Sequence, residues 1–204
     1  MKTGIIVLLT LVIGAPMAFS QNVGDIGMVF KFSPASIQGI GAHYQVTEEI
    51  GLQPSLVFSR SSFTLEEESD DGAKSETDET LSSFGIEVLV PYYLHRIDNI
   101  SVFAAPGLRY LRTTYDSEFD SNIFWDYERD NTINEFSLIL NLGAQANFGR
   151  FAVFSSWGLQ VFFLNSTQEA SPSVSGAAED FEVTTSGSGF SLSQLSIGTI
   201  FTVN

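Results

Sequence analysis

The feature that most constrains this chain is an alternation of large apolar residues with small polar ones, repeated along eight separate segments. The segment 136–148 is the clearest, with Phe136 and Leu138 on one face of an extended chain and Ser137 and Asn141 on the other. A period of two residues is that of a β-strand. The chain is therefore predicted to be all-β, with eight strands at residues 26–32, 39–46, 50–59, 84–90, 102–110, 136–148, 151–164 and 195–203.

The residue types on the two faces predict where each face points. The small polar face carries very few charges, so it would be a poor surface in water. It suits the narrow interior of an eight-stranded barrel, which has room for side chains and little else. The other face is bulky, in a chain that is 44% hydrophobic and holds 18 phenylalanines. We therefore predict an eight-stranded antiparallel up-and-down transmembrane β-barrel, with segments of about ten residues as tilted spanning strands require.

The joins between segments predict how the barrel is oriented. Three are short, near 47–49, 92–99 and 149–150, and three are long, near 65–79, 116–132 and 165–188. Outer-membrane barrels have short periplasmic turns and long extracellular loops. The join around 33–36 is an exception, because it is short although it lies at the same end of the barrel as the long joins.

The first twenty residues have the features of a secretory signal peptide. Lys2 provides the positive start, 4–14 is an uncharged apolar run, and Ala18-Phe19-Ser20 offers small residues for cleavage. Residues 1–20 are predicted to be removed, leaving 21–204 as one barrel domain in the outer membrane of a Gram-negative bacterium. The chain has no cysteine, so disulfides cannot stabilise the exported domain.

Three charged residues lie on the inward face of the predicted barrel: Lys31, Glu87 and Arg109. A charge facing a narrow interior has to be paired, because isolated burial is costly. Glu87 and Arg109 lie on adjacent strands, so we predict an ion pair between them, with Lys31 nearby, that plugs the lumen. A fourth inward charge, Glu135, lies near a rim. Neighbouring inward polar residues are expected to complete the network: Gln53, Asn141, Gln145 and Gln160.

The long joins are strongly acidic, in a chain of formal net charge −15. This charge argues against a nucleic acid as a partner. The join 116–132 interleaves its carboxylates with aromatic residues, a mixture that favours a protein partner. The predicted partner-contact residues are Phe119, Phe124, Trp125 and Tyr127. Carboxylates of this kind can bind Ca²⁺ or Mg²⁺, but no twelve-residue calcium loop is present, and no metal site or cofactor is predicted.

The two histidines do not form a recognisable catalytic site. His43 faces inward, His95 lies in the predicted turn 92–99, and no serine motif accompanies either. We predict no catalytic residue.

Two further details concern the strands. Pro54 and Pro106 cannot donate to a ladder, so a bulge or a missing ladder bond is predicted at each. Aromatic residues near segment ends, including Tyr92, Tyr93 and Trp157, are typical of interfacial girdles.

Three stretches carry a family resemblance: Ile50-Gly-Leu-Gln-Pro-Ser-Leu-Val-Phe-Ser59, Phe84-Gly-Ile-Glu-Val-Leu-Val-Pro91 and Val102-Phe-Ala-Ala-Pro-Gly-Leu-Arg-Tyr110. They resemble the small outer-membrane β-barrel domain family, including its PorT-like members common in Bacteroidetes. Ala105-Pro106-Gly107 stands for the family's AGPG-like strand, whereas Pro91-Tyr-Tyr-Leu-His-Arg96 departs from its Pro-Leu-Leu-Leu-Lys continuation. The resemblance implies the fold, and for the PorT-like branch a link to protein secretion.

The leading interpretation is a non-enzymatic outer-membrane barrel with a structural or surface-interaction role, acidic extracellular loops and a packed, non-conducting lumen. Its expected partners are outer-membrane lipid and an extracellular or secretion-machinery protein. Three alternatives stay open. They are an accessory of protein secretion, a soluble periplasmic barrel that binds a small apolar ligand, and a lipid-modifying outer-membrane enzyme.

Overall fold

A computed structural model describes residues 22–33, 38–68, 74–121, 127–172, 181–192 and 195–203. The predicted signal peptide, residues 1–20, lies outside these described residues. Within them there is no helix long and apolar enough to span a membrane.

The described residues form ten antiparallel β-strands, labelled in chain order. They are β1 Ile26–Phe32, β2 Gln38–Gln45, β3 Gly51–Glu68, β4 Lys74–Leu89, β5 Tyr92–Ile97, β6 Ile100–Ser121, β7 Tyr127–Phe148, β8 Phe151–Pro172, β9 Phe181–Leu192 and β10 Ser196–Val203.

These ten strands occupy eight positions in a sheet that closes on itself. Strand β10 pairs with both β1 and β8, which joins the two ends of the sheet into a ring. Strands β4 and β5 both pair with β6 and together form one interrupted position, as β9 and β10 do beside β8. The prediction of eight antiparallel positions is therefore confirmed.

Prolines account for the irregularities in the ring. The ladder between β2 and β3 lapses around Pro54, resuming only at the pair Tyr44–Leu52. The ladder along β6 breaks beside Pro106, where β4 has ended and β5 has not begun. Pro91, which lies in that break, likewise has no amide to donate. The predicted lapses at Pro54 and Pro106 are confirmed.

The long joins predicted as loops are mostly paired strand, so those predictions are wrong. Strands β3 and β4 pair out to Glu68 and Lys74, and β6 and β7 pair out to Phe119 and Tyr127. The alternation that marks a strand weakens here because the outward residues are polar and the inward ones are a mixture of polar and apolar. We call this part of the sheet, residues 59–68, 74–83, 111–121, 127–135, 164–172 and 181–188, the extension.

The predicted turn 92–99 is also wrong in detail. Residues Tyr92–Ile97 are strand β5, which includes His95. The chain reverses only at Asp98 and Asn99, where Asp98 adopts a positive φ of 49°, a conformation that aspartate tolerates better than most residues. Residues beyond Pro91 therefore still belong to the wall of the ring.

The two faces of the ring point as the residue types predict. Outward side chains are exposed and apolar, as at Leu142 with 57% of its surface exposed, whereas the inward Ser137 is fully buried. Several aromatic and aliphatic side chains also point inward and fill the lumen, among them Phe103, Phe154 and Ile139. Inward glycines make room for them, since a Cβ on Gly143 would lie 2.5 Å from the ring of Phe103.

Candidate functional site

A buried ion pair crosses the lumen of the ring. Lys31 on β1 approaches Glu87 on β4, with Nζ 2.6 Å from Oε1 and both side chains at most 10% exposed. Two strands, β2 and β3, separate these positions in the sheet. The contact is therefore made through the interior and ties together parts of the wall that are not neighbours.

The predicted pair of Glu87 with Arg109 does not form. Their Cα atoms are register partners on β4 and β6, but the guanidinium of Arg109 turns away to Glu135, 3.2 Å from Nη2 to Oε1. Long side chains reach across a narrow lumen as easily as along it, so register neighbours need not be ion partners. Glu87 and Glu135 thus each have a different cation as partner.

Glu135 is the centre of the second polar cluster. Its Oε1 accepts hydrogen bonds from Arg109 Nη2, from Ser137 Oγ at 2.5 Å and from Gln160 Nε2 at 2.7 Å. Gln160 in turn accepts from Arg109 at 2.7 Å. Charge-assisted bonds of this kind are the stronger ones in proteins, so this cluster holds β6, β7 and β8 together at the outer mouth of the lumen.

A cavity of about 160 Å³ lies between these two clusters. Its walls include Lys31, Glu87, Arg109, Asn141 and Gln160, with Phe154 and Ile139 also contributing. The buried Nε of Arg109 finds no hydrogen-bond partner among the described residues. The cavity is polar and small, which suits ordered water better than a bulky apolar molecule.

The turn end of the lumen is closed by Tyr93 and Phe103, which sequence reasoning did not place there. Their rings meet edge to face with centroids 6.1 Å apart, and each is 5% exposed. Tyr93 Oη donates to Gln145 Oε1 at 3.1 Å, and the guanidinium of Arg96 lies over the Tyr93 ring at 4.8 Å. Tyr93 is four residues after the inward Leu89, so a continuous strand would turn both side chains to the same face. The assignment of Tyr93 to a turn concealed this signal.

His43 also lies in the turn half of the lumen, 1% exposed. Its Nε2 is 3.1 Å from Oε1 of Gln45, and its ring packs over Gly51, where a Cβ would lie 2.6 Å from Cε1. Within the described residues, His43 Nδ1 and the nearby Gln53 Nε2 and Ser55 Oγ are buried without hydrogen-bond partners.

Two of the four predicted partner-contact residues lie at the described end of one hairpin of the extension. Phe119 near the end of β6 and Tyr127 at the start of β7 are register partners, whereas Phe124 and Trp125 lie outside the described residues. In the part of the chain that the structure describes, no three histidine or carboxylate residues are grouped as metal ligands.

The geometry defines the class of protein: an all-β chain whose antiparallel sheet closes into an eight-position ring with an apolar exterior. No protein-family model and no curated protein matches the chain. Among solved structures, the chain is similar to that titled "Crystal Structure of Acinetobacter baumannii CarO". The identity is 11%, the match covers 89% of this chain and 99% of that one, and the TM-score is 0.39. A likeness of this size carries no argument about function.

Proposed function

We propose that this protein is a non-enzymatic outer-membrane β-barrel with a surface-interaction role. The observation that carries the proposal is the outward face of the ring. Within its described strands that face holds no Asp, Glu, Lys or Arg, and its aliphatic and aromatic side chains are exposed. An apolar surface that encircles a whole protein far exceeds the patches that soluble monomers expose, and hydrocarbon is the solvent that suits it.

The height of this apolar band supports the same conclusion. On β8 the outward apolar residues run from Phe151 to Phe163, twelve residue steps. At about 3.3 Å per step and a tilt of about 40°, the band is about 30 Å tall. The hydrocarbon core of a bilayer is also about 30 Å thick.

The contents of the lumen support a barrel that does not conduct. Tyr93 and Phe103 obstruct the turn end, and the two ion-pair clusters obstruct the mouth. The alternative of a soluble barrel with an apolar ligand is disfavoured by the same features. Its cavity is lined by charges, and about 160 Å³ is below the roughly 300 Å³ of ordinary ligand pockets.

The orientation follows from the two ends of the ring. The short turns and the described termini share one end, whereas the extension projects from the other. The outward face of the extension is polar, so it belongs outside the hydrocarbon. We infer that the turns are periplasmic and that the extension is extracellular.

The test is electrophoresis of detergent-extracted protein with and without heating, together with protease treatment of intact cells. We expect faster migration of the unheated form and cleavage only in the hairpin tips of the extension. Recovery of the protein from the periplasm without detergent would contradict the proposal. The secretion role implied by the family resemblance stays a prediction, and measuring secretion in a strain lacking the protein tests it.

A further inference from the structure

The hydrophobic pattern of the strands reverses where the ring becomes the extension. In the ring part of β3, the apolar Leu56 and Phe58 point outward. In the extension part, Thr64 occupies the outward parity, while Phe63 and Leu65 occupy the inward parity of the buried Val57. Neighbouring strands also carry apolar residues at inward positions: Leu81, Tyr115, Ile133, Leu164 and Val183. Polar residues such as Glu79, Asn131 and Ser166 lie between them on the same face. The extension therefore has a polar exterior and a concave face that is partly apolar.

The wall of the extension is incomplete. Strand β1 ends at Phe32 and β2 begins at Gln38, whereas the strands on either side of this pair continue. Within the described residues, β3 beyond Phe58 pairs only with β4, and β9 pairs only with β8. The gap left by β1 and β2 spans three strand spacings, about 14 Å, and two unpaired strand edges border it.

Exposure along the concave face identifies the gap as its open side. The inward residues of the central strands, such as Ile133, Phe162 and Leu164, are only half exposed. Those on the two bordering strands are more exposed: Phe63 by 58%, Leu65 by 52% and Val183 by 48%. Large apolar side chains beside an unpaired edge normally invite another strand.

The charge of the exterior restricts what this strand can be. Exposed outward carboxylates on strands next to both borders include Glu76 and Asp78 on β4 and Glu169 on β8, against Arg60 on β3. A partner strand paired with β3 or β9 would lie two strand spacings, about 10 Å, from the strands that carry these carboxylates. Charge complementarity therefore favours basic residues on the partner's outward face, and it disfavours an anionic lipid.

We propose that this gap binds a β-hairpin of a partner protein, with apolar side chains facing inward and basic side chains facing outward. Two strands fill a gap of this width, pairing with β3 on one side and β9 on the other. This inference rests on the proposed surface-interaction role and names the partner's chemistry. The hairpin would complete the wall and bury Phe63, Leu65 and Val183.

The test uses a backbone-cyclised synthetic hairpin whose two strands alternate lysine and valine. Purified protein in neutral detergent micelles is examined by hydrogen–deuterium exchange with and without this hairpin. We expect slower exchange on both borders, in residues 59–65 and 183–191, and unchanged exchange in the turns at 47–50 and 98–99. Protection of one border only, or of neither, overturns the proposal.

A matched pair of variants tests the concave face, since the new residue is the same and only the face differs. Phe63→Asn should weaken hairpin binding about tenfold or more, because a large apolar contact is lost, while Thr64→Asn changes it less than about twofold. A hairpin with glutamate in place of lysine should bind about tenfold more weakly or worse. Equal effects of the two variants, or equal binding of the two hairpins, contradict the proposal.

The outcome separates this inference from the proposed function. Wild-type protein and both variants are first checked for the heat-dependent shift in migration. If wild type lacks the shift, the membrane proposal fails. If the shift is present and the hairpin does not bind, only the docking proposal fails.

Discussion

Lys31 and Glu87 form an ion pair through the interior of the ring, with 2.6 Å between Nζ and Oε1. They lie 56 residues apart on strands that are not neighbours. The pair links two parts of the wall that are separated by β2 and β3. Substitution of either residue alone is therefore expected to have a large effect on stability.

Removing one member of this pair should destabilise the protein strongly. Lys31→Met leaves Glu87 buried without its cation, and we expect a loss of about 3–5 kcal/mol in the free energy of unfolding. The double variant Lys31→Met/Glu87→Met should recover most of it, because no buried charge is left unpaired. Urea titration in detergent micelles measures both. A double variant as unstable as the single one would show that the two residues are not coupled.

A charge on the outward face should lower the free energy of unfolding strongly only inside the apolar band. Leu140→Arg places a guanidinium near the middle of the band, and we expect a loss of about 2–4 kcal/mol in lipid vesicles. Thr132→Arg lies on the same face of the same strand within the extension, and should cost no more than about 1 kcal/mol. Similar losses at both positions would argue against hydrocarbon around the ring.

The buried hydrogen bond of Tyr93 at the turn end should contribute more to stability than the exposed hydrogen bond of Tyr92. Tyr93→Phe removes the donor to Gln145 Oε1, and leaving that buried acceptor unsatisfied costs about 1–3 kcal/mol. Tyr92→Phe removes a bond to Glu49 in an exposed position, where we expect a change within about 0.5 kcal/mol. Unfolding midpoints of the two variants provide the comparison, and equal midpoints would place Tyr93 outside the lumen.

The aromatic obstruction should limit ion flow. We expect no conductance steps from wild-type protein in planar bilayers, because the lumen of an eight-stranded barrel is filled by side chains. Tyr93→Ala/Phe103→Ala enlarges only the turn end and should also fail to conduct, because both ion-pair clusters still obstruct the mouth. Large steady currents from the wild type would contradict a packed lumen.

The alternation of residues determined most of the ring. Because a strand turns successive side chains to opposite faces, Leu138 and Ser137 were assigned correctly without coordinates. The same logic identified eight positions, the inward Lys31, Glu87 and Arg109, and the irregular pairing at Pro54. It failed for the extension, where the outward residues are polar, the inward ones are mixed, and the alternation therefore loses contrast.

Only the tertiary structure decided which inward groups meet. Sequence spacing favoured Glu87 with Arg109, but closure of the sheet brings Lys31 across the lumen to Glu87 and leaves Arg109 to Glu135. Closure also brings Tyr93 inside and leaves β3 and β9 facing an open gap. A residue's face is a local property of the strand, whereas its partner depends on how the distant strands are arranged around the ring.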